Sequence, residues 1–234
     1  MDIVLIPGLW LNASCWDEVT PRLEAAGHRV RALTLPGMES TGADRSGVGL
    51  QHWIDAVVAA IDDAADPVLL VGHSAGCGLA HAALDARPER VVRVMHIGGF
   101  PAGDGEALLG GLPAVNGEVR MPDWVEMGEE ANVRDMDAAQ RKSLYDNAIP
   151  VPVAAITTPV RLRDGRRFAV PMTLVCPEYT TEDAKEWATE DDGPGPELRR
   201  TVAVDYVDIG GGHWPQLTQP ERLAQVILGG VPRG

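Results

Sequence analysis

The chain has 234 residues, 45% of them hydrophobic and 23% charged, which suffices for one domain with a sizeable core and rules out wholesale disorder. Acidic residues outnumber basic ones 34 to 20, for a formal net charge of −14, and Lys142 and Lys185 are the only lysines. Such a balance repels nucleic acid and anionic membranes, which leaves a small molecule as the expected partner, with a homodimer compatible.

In chain order, Met1 to Pro7 lacks the basic leader and full apolar stretch of a signal peptide, and no apolar run approaches membrane-spanning length, so a cytoplasmic location is expected. Ile3 to Ile6 reads as a short buried strand closed by Pro7-Gly8. Ser14 or Asp17 is expected to cap a helix through about Ala26, with Trp16, Val19 and Leu23 at helical spacing and Gly27 as its stop. His28 to Leu35 reads as a second strand, and a glycine-rich polar loop follows to Gly49. Leu50 to Ala65 has the period of a helix, with Trp53, Val57 and Ile61 on one face. Val68 to Val71 is a third strand, followed by a helical pattern that Pro88 stops beyond Arg87, and Val91 to Ile97 is a fourth strand.

From Gly98 to about Arg167 the rhythm breaks, which predicts a helical lid inserted at about 100–168. Helical pieces are expected around Met121 to Met127 and Met136 to Tyr145. Trp124, Met127, Met136, Leu144 and Tyr145 either line a pocket or pack the lid to the body. The strand–helix alternation resumes at Met172 to Cys176, a helical piece from Glu182 to Thr189, a strand at Val202 to Ile209 and a last helix from Pro220 through Leu228. This pattern predicts a single α/β domain over residues 1–234, with a mostly parallel sheet of about six strands and helices on both faces. In such sheets ligands bind beyond the carboxyl ends of the strands. Cys15, Cys77 and Cys176 are odd in number and far apart, which points to buried free thiols rather than disulfides or a metal site.

The chemistry concentrates at Gly72-His73-Ser74-Ala75-Gly76, a Gly-x-Ser-x-Gly between a strand and a helix. A serine in that strained turn is lifted above the sheet, and the first amides of the following helix aim at the same spot, where they favour developing negative charge. Such a nucleophile needs a base, and the base needs an acid to fix its tautomer. Of six histidines, His213 alone follows the last strand, behind Gly210-Gly211-Gly212. His73 is expected to pack beneath the turn, and His96, near a strand end, is the rival base.

Together with Gly72-His73-Ser74-Ala75-Gly76, the segments Gly212-His213-Trp214-Pro215, Pro220-Glu221-Arg222-Leu223 and Pro7-Gly8-Leu9-Trp10 resemble the α/β-hydrolase fold superfamily. Cys15-Trp16, Pro21-Arg22-Leu23 and Ala26-Gly27-His28-Arg29-Val30 narrow the resemblance to the plant methylesterase and hydroxynitrile lyase branch and to similar bacterial esterases. It covers residues 1 to about 100 and 170 to 230, not the lid, and the chain starts at what is the third strand of that family. The resemblance implies Ser74 as nucleophile, His213 as base and the Leu9 and Ala75 amides as oxyanion hole, with Pro7-Gly8 where relatives carry His-Gly. It implies an acid after Met172–Cys176, where Glu178 lies two residues before the expected slot, occupied here by Thr180. In some relatives the acid follows the preceding strand, near Asp104; Glu182, Asp183 or a dyad without an acid remain alternatives. The activity implied is cleavage of a small, partly apolar ester, lactone or thioester through an acyl-enzyme, with no metal or cofactor. A hydroxynitrile-type lyase is disfavoured by the absence of a lysine beside His213; a cofactor-independent oxygenase and a non-catalytic binding protein are the other readings.

Overall fold

In the structure, a computed structural model that describes residues 1–232, the apolar runs become neighbouring strands of one sheet. The strands are β1 (Asp2–Ile6), β2 (Arg29–Ala32), β3 (Val68–His73) and β4 (Val91–Ile97), then β5 (Glu118–Val119) and β6 (Val151–Pro152) within the long connection, and β7 (Met172–Cys176) and β8 (Val204–Asp208). Six of them form the main sheet in the order β2-β1-β3-β4-β7-β8, every pair parallel. The helices are α1 (Thr20–Ala25), α2 (Leu50–Asp62), α3 (Gly76–Ala86), α4 (Ala138–Asn147), α5 (Val153–Thr157), α6 (Thr181–Trp187), α7 (Gly195–Arg200), α8 (Pro215–Thr218) and α9 (Pro220–Gly229). No helix among the described residues is long and apolar enough to cross a membrane.

Residues of β1, β3 and β7 are buried throughout because helices cover both faces, which is why these strands read as largely apolar runs without strict alternation. Successive side chains still point to opposite faces. Val4, Ile6, Leu70, Val94 and Leu174 join Trp53 and Val57 of α2 and Leu79 of α3 on one side. Ile3, Leu5, Leu69, Val71, Met95 and Ile97 pack with Leu23 of α1 and Leu223 and Ile227 of α9 on the other.

The strand order reverses between β1 and β3. The chain leaves β1 towards the β2 edge and leaves β3 towards β4, so the two connections part and a crevice opens above their carboxyl ends. Pro7-Gly8-Leu9 and the Ser74 turn border that crevice, and the loops after β7 and β8 lie further along the same edge of the sheet.

Two expectations are corrected. The first helix begins later and is capped by neither Ser14 nor Asp17: Asn12 caps a short 3-10 turn over Ala13–Trp16, and α1 starts at Thr20, with Pro21 in its first turn. That placement suits proline, which has no N–H to donate. Residues 121–127 form turns rather than a helix, because Pro122 and Gly128 bracket the segment and Asp123 caps Val125 and Glu126. Within the connection, β6 pairs antiparallel with β5.

The connection from β4 to β7 is anchored to the body at both ends. Trp10 donates its indole N–H to the Val119 carbonyl at 3.1 Å, and its own carbonyl accepts the Ile149 N–H at 2.8 Å. At the far end Arg167 bridges Asp85 of α3 (3.0 Å) and Glu197 of α7 (2.9 Å), and His81 of α3 closes the cluster at 2.7 Å from Glu197. All four side chains are buried. Burial alone would raise the Glu197 carboxyl, but hydrogen bonds and charge from His81 and Arg167 outweigh it and hold the group at about 2.

Candidate active site

Ser74 directly follows β3 in a left-handed backbone conformation, φ 53°, which costs an L-residue about 1–2 kcal/mol and persists because the surroundings leave no alternative. A Cβ on Gly72 would sit 2.5 Å from the Gly76 carbonyl oxygen, and a Cβ on Gly76 would sit 2.5 Å from that of Pro7. Both glycines of the motif are therefore required by close approach. A Cβ on Gly8 would lie 2.9 Å from the Ser74 Cβ, so the loop after β1 passes directly over the serine. Next to it, Trp10 is also left-handed, φ 63°. Among the described residues, neither the Leu9 nor the Ala75 N–H has an intramolecular acceptor. Ala75 stands at the N-terminus of the 11-residue α3, where unpaired amides and the helix dipole favour negative charge.

His213 comes to the same strand ends from the loop after β8. Its Nδ1 lies 2.6 Å from Oε1 of Glu178, with both side chains mostly buried. A Cβ on Gly98 would fall 3.3 Å from that Nδ1, and one on Gly99 would fall 2.6 Å from the Ser74 carbonyl oxygen. The Gly98-Gly99 pair after β4 thus lets the serine turn and the histidine ring converge from opposite sides. Trp214 packs edge-on against the His213 ring at 4.9 Å.

The other candidates lie elsewhere. Asp104 is exposed and accepts the Leu162 N–H at 2.9 Å, an internal bond of the insertion. Glu182 reaches towards Lys185, and Asp183 caps α6 together with Thr180. His96 is fully buried in the sheet at 6.1 Å from His81, with neither ring nitrogen hydrogen-bonded and its protonation strongly suppressed by that burial. Lys142 pairs with Asp146, and Lys185 lies over the Tyr206 ring, so neither lysine is engaged with His213. The cysteines are free and buried, as expected; burial pushes the Cys77 thiol up, and its S–H turns to the Gly72 carbonyl.

One supporting group, Gln216, carried no sequence signal that could single it out. His73 packs beneath the serine turn, as expected, and it also props the His213 loop. Its Nε2 lies 2.7 Å from the His213 carbonyl and its Nδ1 3.2 Å from Nε2 of Gln216, which fixes Nε2 as the protonated nitrogen. Burial, reinforced by neighbouring His213, pushes the His73 ring down to about 3. The sign follows: the unfolded chain takes up this proton near pH 6.5 and the folded one does not, so stability is full above 6.5 and falls as pH drops towards 3. Between pH 6.5 and 5 the loss from this group is about 2 kcal/mol. Calorimetry across that range, in which Tm should drop in the wild type and less in His73→Gln, checks it; equal slopes in the two proteins would remove the effect from His73.

A cavity of about 290 Å³ opens beside Ser74 and Ala75, bounded by Phe100, Ala102, Leu108 and Pro194. A larger cleft of about 600 Å³ lies beyond Trp10, between Cys15, Met136 and Leu144, and none of Ser74, His213 or Glu178 lines it. We place the site at the smaller cavity because Ser74 lines it. Trp124 packs with Trp10 and Trp214 (5.8 Å each), and the Tyr145 hydroxyl accepts the Trp124 N–H, so these aromatics join the insertion to the body; Met127 is exposed.

A family model described as the alpha/beta hydrolase family matches residues 3–226. The pyrethroid hydrolase of Sphingobium wenxiniae is 25% identical over 97% of this chain and 86% of its own length. Methylesterase 3 of Arabidopsis thaliana is 35% identical over 38% of this chain and 35% of its own. Among solved structures, an extracellular alpha/beta-hydrolase from a Paenibacillus species, described as sharing structural and functional homology with tobacco salicylic acid binding protein 2, superposes with a TM-score of 0.80. It is 20% identical and both chains are fully covered.

Proposed function

The chain belongs to the alpha/beta hydrolase family, and on that premise we propose that it is a serine hydrolase cleaving a small, partly apolar carboxylic ester. The observation that carries the reading is the 2.6 Å bond between His213 and Glu178 at the strand ends where Ser74 is held in its strained turn. Relatives named for ester hydrolysis, a pyrethroid hydrolase and methylesterases, support it.

In this reading Glu178 accepts the Nδ1–H of His213, which leaves Nε2 as the acceptor facing the serine. His213 removes the hydroxyl proton as Ser74 attacks the ester carbonyl carbon. The tetrahedral oxyanion is met by the Leu9 and Ala75 N–H groups, and their lack of other acceptors means nothing must be broken to receive it. The protonated His213 then delivers its proton to the leaving alkoxide. Water, deprotonated by the same histidine, hydrolyses the acyl-enzyme, and Ser74 is regenerated.

The cavity of about 290 Å³ beside Ser74 is at the small end of ligand sites, and its walls set the apolar Phe100, Ala102 and Leu108 beside a comparable polar surface. It suits a short acyl or alcohol group, with the insertion acting as a lid over the strand ends. Three unpaired cysteines support a reducing, cytoplasmic location.

A fluorophosphonate probe with peptide mapping tests the reading: a single adduct on Ser74 is expected. With p-nitrophenyl esters, acetyl and butyryl should be turned over faster than octanoyl. Well-folded protein that takes no label on Ser74 would sink the mechanism.

A further inference from the structure

The loops carrying Glu178 and His213 leave adjacent strands, yet the sheet stops holding them together before either residue is reached. The last backbone bond between them runs from the Gly210 N–H to the Cys176 carbonyl, at 3.3 Å. Beyond it Gly210 (φ 60°) and Gly211 (φ 125°) occupy backbone conformations that favour glycine, in a stretch with little intrinsic stiffness.

The restraint comes from the insertion, from residues 132–135. Arg134 donates through Nε to the Gly211 carbonyl at 2.5 Å and through Nη2 to the Pro177 carbonyl at 3.2 Å. One guanidinium therefore spans both loops, one residue before Glu178 and two before His213. The Asn132 carbonyl accepts the His213 N–H at 2.8 Å. Asp135 accepts the Thr218 hydroxyl at 2.8 Å and lies so close that a Cβ on Gly212 would meet its Oδ1 at 2.3 Å. Gly212 is thus present to admit the insertion.

We propose that Arg134 is a positioning residue of the active site, setting the separation of His213 and Glu178 by tying their two loops to the insertion. The inference rests on the hydrolase reading above. A planar fork with donors in fixed directions suits the task, because it fixes two carbonyls relative to each other, whereas a lysine ammonium, with rotatable donors on a flexible stem, holds no set separation between them. Displacement of the insertion would then misalign the histidine, so that substrate entry and catalytic competence are coupled through residues 132–135.

The test compares wild type, Arg134→Ala, Arg134→Lys and, as a control in the same insertion, Lys142→Ala, whose exposed side chain pairs with Asp146. Two readouts are taken: steady-state kinetics on a p-nitrophenyl ester, and the far-downfield proton resonance of the His213 Nδ1–H bonded to Glu178. Arg134→Ala should lower kcat by about ten- to a hundredfold with KM little changed, and should broaden or shift the resonance; misplacement of about 1 Å is enough for such a loss. Arg134→Lys should fall between, and Lys142→Ala should match wild type. Should Arg134→Ala not fold, Arg134→Gln, which keeps one donor, is read in the same way. Unchanged kcat and resonance, or a lower kcat with an unaltered resonance, would overturn the assignment. The resonance needs no turnover, so it decides the role of Arg134 even if wild type fails to label at Ser74, an outcome that would refute the hydrolase reading instead.

Discussion

Ser74→Ala is expected to abolish fluorophosphonate labelling and to lower ester turnover by about a millionfold in kcat, since a nucleophile acts as a unit with its base and little survives its removal. The residual rate should come from the amides of Leu9 and Ala75 and from binding alone. The same position makes an independent prediction about stability. Ser74 pays about 1–2 kcal/mol for its left-handed backbone, and glycine does not, while the extra unfolded-state freedom of glycine takes back about 0.5–1 kcal/mol. Ser74→Gly should therefore be inactive and still be as stable as wild type or slightly more so, with Ser74→Ala close to wild type. Chemical denaturation of the three proteins measures this. A Ser74→Gly protein clearly less stable than Ser74→Ala would mean that the turn is not strained, and would remove the physical reason for reading it as a site built for a reactive side chain.

That turn was legible in the sequence because its constraints are local. Strand, tight turn and helix follow one another within 20 residues, and Gly72 is demanded by the Gly76 carbonyl four positions on; the demand on Gly76, set by Pro7, is the one tertiary element of the motif. His213 was legible for a similar reason: it is the one histidine on a loop after the last strand. Less could be read where the cause is tertiary. Gly210-Gly211-Gly212 reads as a flexible run, yet Gly212 is where Asp135, some 77 positions earlier in the chain, comes to rest against the loop. The insertion was visible as a break in rhythm but not in its parts, because β5 and β6 have two residues each, too few for any periodicity. Arg134 has no signature at all: it is one arginine among many, and its partners are backbone carbonyls that any sequence supplies.

The acid is the case that spacing alone left open, since Glu178 and Asp104 both satisfied the chain order of serine, acid and histidine. Length resolves it. Glu178 stands two residues before the position at which an aspartate would be expected, and its extra methylene brings Oε1 to 2.6 Å from Nδ1 of His213, whereas Asp104 is bound to the Leu162 N–H. Glu178→Gln should therefore lower kcat by about a hundred- to ten-thousandfold while leaving the fold intact. The amide can face His213 in two ways. With its oxygen towards Nδ1–H, its NH₂ takes the place of Oε2, which is already buried without a partner, so a donor is stranded there. With its NH₂ towards Nδ1, it drives the proton to Nε2, and the base can then no longer accept from Ser74. Glu178→Asp keeps the charge but withdraws it by one methylene, and should recover only part of the activity. Asp104→Asn loses only charge on an exposed bond within the insertion, and its kcat should stay within about twofold of wild type. Kinetics of the three variants separate the alternatives: retained activity in Glu178→Gln with a collapse in Asp104→Asn would reassign the acid to the β4 loop and leave the 2.6 Å contact as a structural bond alone.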